Sequence, residues 1–215
     1  MKLRLILGVM LLVGFAAGSD LGSPDTQAQT KSALVDVDKA KAKALGSPNA
    51  PVTMEVFSDF QCPACKVYYE TVWRRLIENY VNTGKVYLVH RDFPLPAHAY
   101  SRVAANYANA AARIGKYTVV ERALFEAQEA WTATGDVDGA VARALTPREM
   151  IKVRAMVKAD ALKAGIDKDV ERGHLFNVSQ TPTTIFHSQG QTFPYGGQVN
   201  YDILRQFLDQ LIGQR

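Results

Sequence analysis

Pro51-Val52-Thr53-Met54-Glu55-Val56-Phe57-Ser58-Asp59-Phe60-Gln61-Cys62-Pro63-Ala64-Cys65 is the stretch on which the reading of the whole chain turns. Its first seven residues are mostly apolar or β-branched and predict a buried strand. The Cys-Pro-Ala-Cys tetrapeptide follows almost at once. Beyond it, Tyr69, Trp73 or Leu76, and Tyr80 recur at helical spacing, and Gly84 stands where a helix would stop. Lys85 to Val89 reads as a second strand. Strand, helix and strand make a unit suited to a right-handed parallel crossover.

The two cysteines of this 215-residue chain both lie in that tetrapeptide. A pair that closes so short a loop removes little entropy from the unfolded chain, so it is a poor staple and is better explained by chemistry. A cysteine at the mouth of a helix meets the unpaired N–H groups of the first turn and the positive end of the helix dipole, and both favour the thiolate. Cys62 is therefore the expected exposed nucleophile. Cys65, one turn further in, is placed to attack a mixed disulfide formed on Cys62. Pro63 suits the first turn, where its missing N–H costs nothing. Structural zinc wants four ligands, and the sequence has no second CxxC. His90, His98, His174 and His187 are scattered without ligand spacing. Copper handling by the two cysteines and a distant His is the remaining metal reading.

Working outward, Lys2 and Arg4 precede an apolar run from Leu5 to Ala17, with no charge until Asp20. That is the pattern of a signal peptide over residues 1–18, with an uncleaved N-terminal membrane tether as the alternative. Both place the rest of the chain outside the cytoplasm. Residues 19–50 read as a linker, polar over Ser19–Thr30, with a short surface helix over Val35–Leu45. The domain proper is expected over residues 51–215. Between about 97 and 176 the sequence becomes Ala-rich and helical, with a capping box at Thr146-Pro147-Arg148-Glu149 and Gly165 as the matching stop. Strands return at Thr183–Phe186 and Gln191–Phe193. Asn200 then caps a last helix whose buried face is Ile203, Leu204, Phe207, Leu208, Leu211 and Ile212. The chain is 47% hydrophobic with a formal charge of +4, enough for one sizeable core. No basic run interleaved with aromatics supports nucleic-acid binding.

Ser58-Asp59-Phe60-Gln61-Cys62-Pro63-Ala64-Cys65, then Arg91-Asp92-Phe93-Pro94-Leu95, then Gln180-Thr181-Pro182-Thr183 resemble, in that order, the motifs of DsbA-type thioredoxin-fold proteins. The resemblance runs from about Val52 to the C-terminus. It implies an α/β thioredoxin-like fold with a helical subdomain inserted between the two halves of the core. It also implies a cis bond at Thr181–Pro182 beside the sulfurs, with the Thr181 backbone free to pair with an extended peptide. Cys62, Cys65 and Pro182 are then the expected catalytic residues, and Thr181, Pro63, Ala64 and Phe60 the expected client contacts.

The function so implied is that of an exported thiol:disulfide oxidoreductase acting on client proteins with thiols or disulfides, chiefly as an oxidase, and recycled by a membrane redox partner. A reductase or isomerase of the same fold is the nearest alternative. A non-catalytic binding or metal-handling module is the alternative from another class. No metal or organic cofactor is expected, because the electrons stay on sulfur. Two departures from the family pattern bear on strength. Val56 stands where several relatives place a buried carboxylate, and Glu55 beside it reads as a surface or edge-strand residue on the opposite face. Ala64 stands where strongly oxidising relatives have His, so Cys62 should be acidified less than the value of about 3.5 known for DsbA.

Overall fold

The structure, a computed structural model, describes residues 42–213. The expected signal or tether segment and most of the 19–50 linker lie outside the described residues. The expected helix over 35–45 survives at neither of its last two residues. Ala44–Leu45 form strand β1, because their backbone groups pair with Leu88 and Val89 at the sheet edge.

The predicted strand is β2 (Val52–Ser58), and it lies at the centre of a five-stranded sheet. Helix α1 follows over residues 63–81. It opens as Pro63–Tyr68 and continues through wide π-type turns at Tyr69–Trp73 and Ile77–Val81, ending before Gly84 at φ +72°. Strand β3 (Val86–Asp92) then runs parallel to β2, with Val52 opposite Val86 and Ser58 opposite Asp92. It is three residues longer than its apolar run, because His90, Arg91 and Asp92 complete the ladder with polar side chains that find buried partners.

From the end of β3 the chain leaves the sheet for six helices: α2 (Ser101–Ala112), α3 (Tyr117–Glu126), α4 (Gln128–Thr134), α5 (Val137–Ala142), α6 (Pro147–Lys158) and α7 (Lys163–Leu175). The small buried side chains Ala104, Ala105, Ala108, Ala110 and Ala111 let α2 pack closely around Trp131 and Phe125. The capping box at Thr146 and Glu149 forms as read. Its helix ends before Asp160, which turns the chain at φ +50°, so Gly165 lies inside the next helix rather than stopping this one. Gly173 of α7 is needed: a Cβ there would come within 2.6 Å of the Phe93 ring.

The chain then returns through β4 (Thr183–Ser188), antiparallel to β2, and β5 (Gln191–Gly196) on the far edge, where Pro194 is tolerated. The order is β1-β3-β2-β4-β5. Helix α8 (Tyr201–Gly213) and α1 cover one face through Met54, Val56, Leu76, Leu204, Leu208 and Leu211. Ile203, expected on that buried face, is 60% exposed. The other face packs through Phe57, Phe93, Val178 and Ile185, with Val170 of α7 against them.

Glu55 also points to that second face, as the period of two requires, but it is buried rather than superficial. It sits on a central strand under α7, which the local sequence does not announce. It accepts hydrogen bonds from Arg91 (2.6 Å) and Arg172 (2.5 and 2.6 Å) and pairs with His187 (2.8 Å). Arg91 continues to Asp169 (3.0 Å), and Asp169 and Asp92 both pair with the buried Lys43. Three carboxylates, three cations and the His187 ring thus tie the residue before β1, strands β2 to β4 and helix α7 together.

Burial alone would push the Glu55 carboxyl up. The hydrogen bonds from His187 and Arg172 and the charges of Arg91 and Arg172 outweigh it and hold the group well below its ordinary value of 4.5. A depressed carboxyl stabilises the fold above its unfolded value and loses that contribution as pH falls below it. Glu55→Gln should therefore lower the unfolding free energy at pH 7 by about 3 kcal/mol or more, read by urea titration. The gap between variant and native protein should narrow steadily as pH falls below 4.5.

Candidate active site

Strand β2 ends at Ser58, and the chain must turn before helix α1 begins. The buried carboxylate of Asp59 makes the turn. It accepts from the Gln61 N–H at 2.7 Å, the Leu95 N–H at 2.8 Å and the Ser101 hydroxyl at 2.5 Å, and it pairs with the His98 ring at 2.7 Å. The Cys62 N–H donates to the Asp59 carbonyl at 3.1 Å. Cys62 emerges as the N-cap of α1, with extended backbone (φ −74°, ψ 121°) and Pro63 in the first turn. Its carbonyl accepts from the N–H groups of Cys65 (3.1 Å) and Lys66 (3.2 Å).

Cys62 and Cys65 are both free thiols. The sequence suggested an exposed nucleophile, yet Cys62 is only 6% exposed and Cys65 only 2%, because the helical insertion covers the motif. The hydrogen bond from the Cys65 thiol draws the Cys62 thiol down to about 5 against the cost of its burial, helped by Thr181 and by the N–H groups of Cys65 and Ala64. Burial, and the neighbouring Cys62, push the Cys65 thiol up. One sulfur of the pair is therefore a thiolate at neutral pH and the other keeps its proton. That division suits thiol–disulfide exchange: an anionic attacking or leaving sulfur beside a protonated partner.

The Thr181–Pro182 bond is cis, and the Thr181 carbonyl lies 3.4 Å from Cys62 Sγ. The structure thus brings Cys62, Cys65, Thr181 and Pro182 together. Pro63 is exposed and Ala64 half-buried beside the sulfurs. Phe60 does not join them at a surface. It is 1% exposed, with its ring stacked on His90 at 5.2 Å and tilted against Phe125 at 5.1 Å, because helices α3 and α4 close over the turn. Lys66 adds little free positive potential, since its ammonium pairs with Glu129 at 2.8 Å. Val56 packs in the apolar core, so no carboxylate stands in the family's usual position. Gln198, not singled out from sequence, donates to the Ala64 carbonyl at 2.7 Å. Its only sequence signal is the adjacent Gly196-Gly197, where Gly197 takes φ +95° and donates to the Pro182 carbonyl. Among the described residues no three of His, Cys, Asp and Glu are grouped as metal ligands.

The acidity of Cys62 depends chiefly on its partner. Thiolate absorbance at 240 nm should titrate near 5 in the reduced protein, and the Cys65→Ala variant should move that midpoint up by about one to two units, the value of one hydrogen bond to a charged acceptor. Iodoacetamide at pH 6 should modify Cys62 alone. Equal modification of both cysteines would contradict this division.

A 52-residue stretch of the chain is 46% identical to the probable disulfide bond formation protein D of Bacillus cereus; the match spans 24% of this chain and 24% of that protein's length. Among solved structures, α-DsbA1 of Wolbachia pipientis superposes with a TM-score of 0.67 at 19% identity, over 80% of this chain and 91% of that one. Oxidised BdbD of Bacillus subtilis gives 0.68 at 21%, over 80% and 94%. The sequence profile of the thioredoxin family matches residues 38–210, and with the insertion lying between the two halves of the sheet, the chain belongs to the thioredoxin family in its DsbA-type arrangement.

Proposed function

We propose that the protein is an exported thiol:disulfide oxidoreductase that passes the Cys62–Cys65 disulfide to client proteins. The observation that carries this reading is the geometry of the pair: Cys62 caps the first turn of α1 with Cys65 beneath it and the carbonyl of the cis Thr181–Pro182 bond 3.4 Å from its sulfur, and in this setting Cys62 is drawn down and Cys65 held up. A stabilised thiolate stabilises the reduced enzyme and so makes the disulfide a better oxidant.

In the forward reaction a client thiolate attacks Cys62 Sγ. The Cys62–Cys65 bond breaks, a mixed disulfide forms on Cys62, and Cys65 leaves with the bonding pair and takes up a proton. A second client thiolate attacks the client sulfur of the mixed disulfide. Cys62 leaves as a stable thiolate. The client loses two electrons and two protons; Cys65 keeps one proton and solvent receives the other. Thr181 and Pro182 line the sulfur, and Pro63 and Ala64 offer backbone beside it, suited to an extended client segment. A membrane redox partner restores the disulfide. The reading of residues 1–18 as a signal or tether supports a periplasmic or extracytoplasmic location; among the described residues no helix is long and apolar enough to cross a membrane.

The test is equilibration of the full chain against graded glutathione buffers, alongside oxidation of a reduced, unfolded client such as ribonuclease. The expected potential lies well above the value of about −270 mV known for thioredoxin. Cys62→Ser should abolish client oxidation, and Cys65→Ser should accumulate mixed disulfides through Cys62. A potential at or below that of thioredoxin would turn the assignment to a reductase.

A further inference from the structure

Gln128 opens helix α4, a position where a polar side chain ordinarily faces water. Here it is 3% exposed and folds back onto the active-site turn. Its amide nitrogen donates to the Phe60 carbonyl at 2.7 Å and to the Cys62 carbonyl at 3.0 Å. Both amide hydrogens are thus committed to carbonyls that flank the turn into the nucleophile. Neighbouring contacts reinforce the grip. Phe125 stacks on Tyr69 at 4.8 Å and leans on Phe60, and Glu129 pairs with Lys66. The α3–α4 junction therefore holds both sides of the redox pair, and Gln128 is the member that reaches the backbone of Cys62 itself.

Apolar packing alone would be met by a side chain without hydrogens to donate. A buried amide costs desolvation unless its hydrogen bonds are made, and these are made at the turn that fixes where Cys62 Sγ sits. The N–H dipoles also bring their positive ends beside the nucleophile's own peptide group, in surroundings where water screens little. We propose that Gln128 is a positioning residue for the redox pair: from the helical insertion it fixes the Phe60–Cys62 backbone, holds Cys62 Sγ between Cys65 and the Thr181 carbonyl, and so sets the oxidising strength of the disulfide. The proposal rests on the oxidoreductase reading above and adds to it the residue through which the insertion acts on the chemistry.

Gln128→Met keeps the length of the side chain and removes both donors. In the full-length variant the Cys62 thiolate midpoint should rise by about half a unit, and the equilibrium against glutathione should shift about threefold toward a less oxidising pair. A purely structural glutamine would lower the urea midpoint and leave both of these unchanged, which would overturn the proposal. Should the variant not fold, the native protein supplies the reading by NMR. The Gln128 side-chain amide signals should titrate with the Cys62 midpoint and differ between dithiol and disulfide forms; signals insensitive to both would overturn it. Failure of the native protein to form a reversible disulfide would instead remove the redox reading, while the thiolate midpoint of the variant would still decide whether Gln128 acts on Cys62.

Discussion

The carboxylate of Asp59 is the constraint on which the active-site end of the molecule depends. Buried without partners it would be strongly unfavourable, and it is satisfied by the Gln61 and Leu95 N–H groups, the Ser101 hydroxyl and the His98 ring. Three of these donors divide between two tasks. The Gln61 contact shapes the turn that delivers Cys62 to the start of α1. The Leu95 and Ser101 contacts hold the loop and first residue of the insertion. The position of Cys62 and the point at which the helical subdomain leaves the sheet are therefore both tied to one carboxylate.

Local fields then decide the chemistry. The N-terminus of α1 favours an anion on Cys62, as any helix start does. Two other sources of positive potential are weak or missing: Ala64 carries no charge, and Lys66 is engaged by Glu129. The first cause of the acidity that remains is the thiol of Cys65. A midpoint of about 5 falls between the ordinary thiol near 8.5 and the value of about 3.5 known for DsbA. That order follows from supplying the donor within the pair rather than from an added cation.

Much of this was legible in the sequence, and the exceptions share a cause. The central strand, the helix start at Cys62 and the capping box at Thr146 rest on local rules and are where they were expected, while the cis Thr181–Pro182 bond beside the sulfurs is what the family resemblance implied. Glu55 was placed on the correct face, but whether that face meets water depends on α7, more than a hundred residues away. Phe60 repeats the Glu55 error, expected at a client surface but closed over by α3 and α4, and Ile203 is the reverse, since helical periodicity does not say where a neighbouring element ends. Ala44–Leu45 pair with a strand edge that only the folded sheet provides. Gln128 carries no local signal and Gln198 only its glycine neighbours, because an amide that hydrogen-bonds a distant carbonyl looks in sequence like any surface glutamine.

The topology makes the roof over the cysteines a consequence rather than an accident. Parallel strands β2 and β3 end at the same edge of the sheet, where Ser58 stands opposite Asp92, and antiparallel β4 begins there, with Thr183 opposite Phe57. The insertion leaves from the end of β3 and returns to the start of β4, so both of its connections lie beside the turn that carries Cys62 and the loop that carries Thr181 and Pro182. A subdomain attached at that edge must overhang the sulfurs, and its core contains Phe60, Cys62 and Cys65 along with its own helices. For the proposed exchange this leaves approach from the side of exposed Pro63 and Gln198, with half-buried Ala64 between them. Client approach in that exchange falls on one flank, while the chief donor to the Cys62 sulfur, the Cys65 thiol, lies buried beneath it.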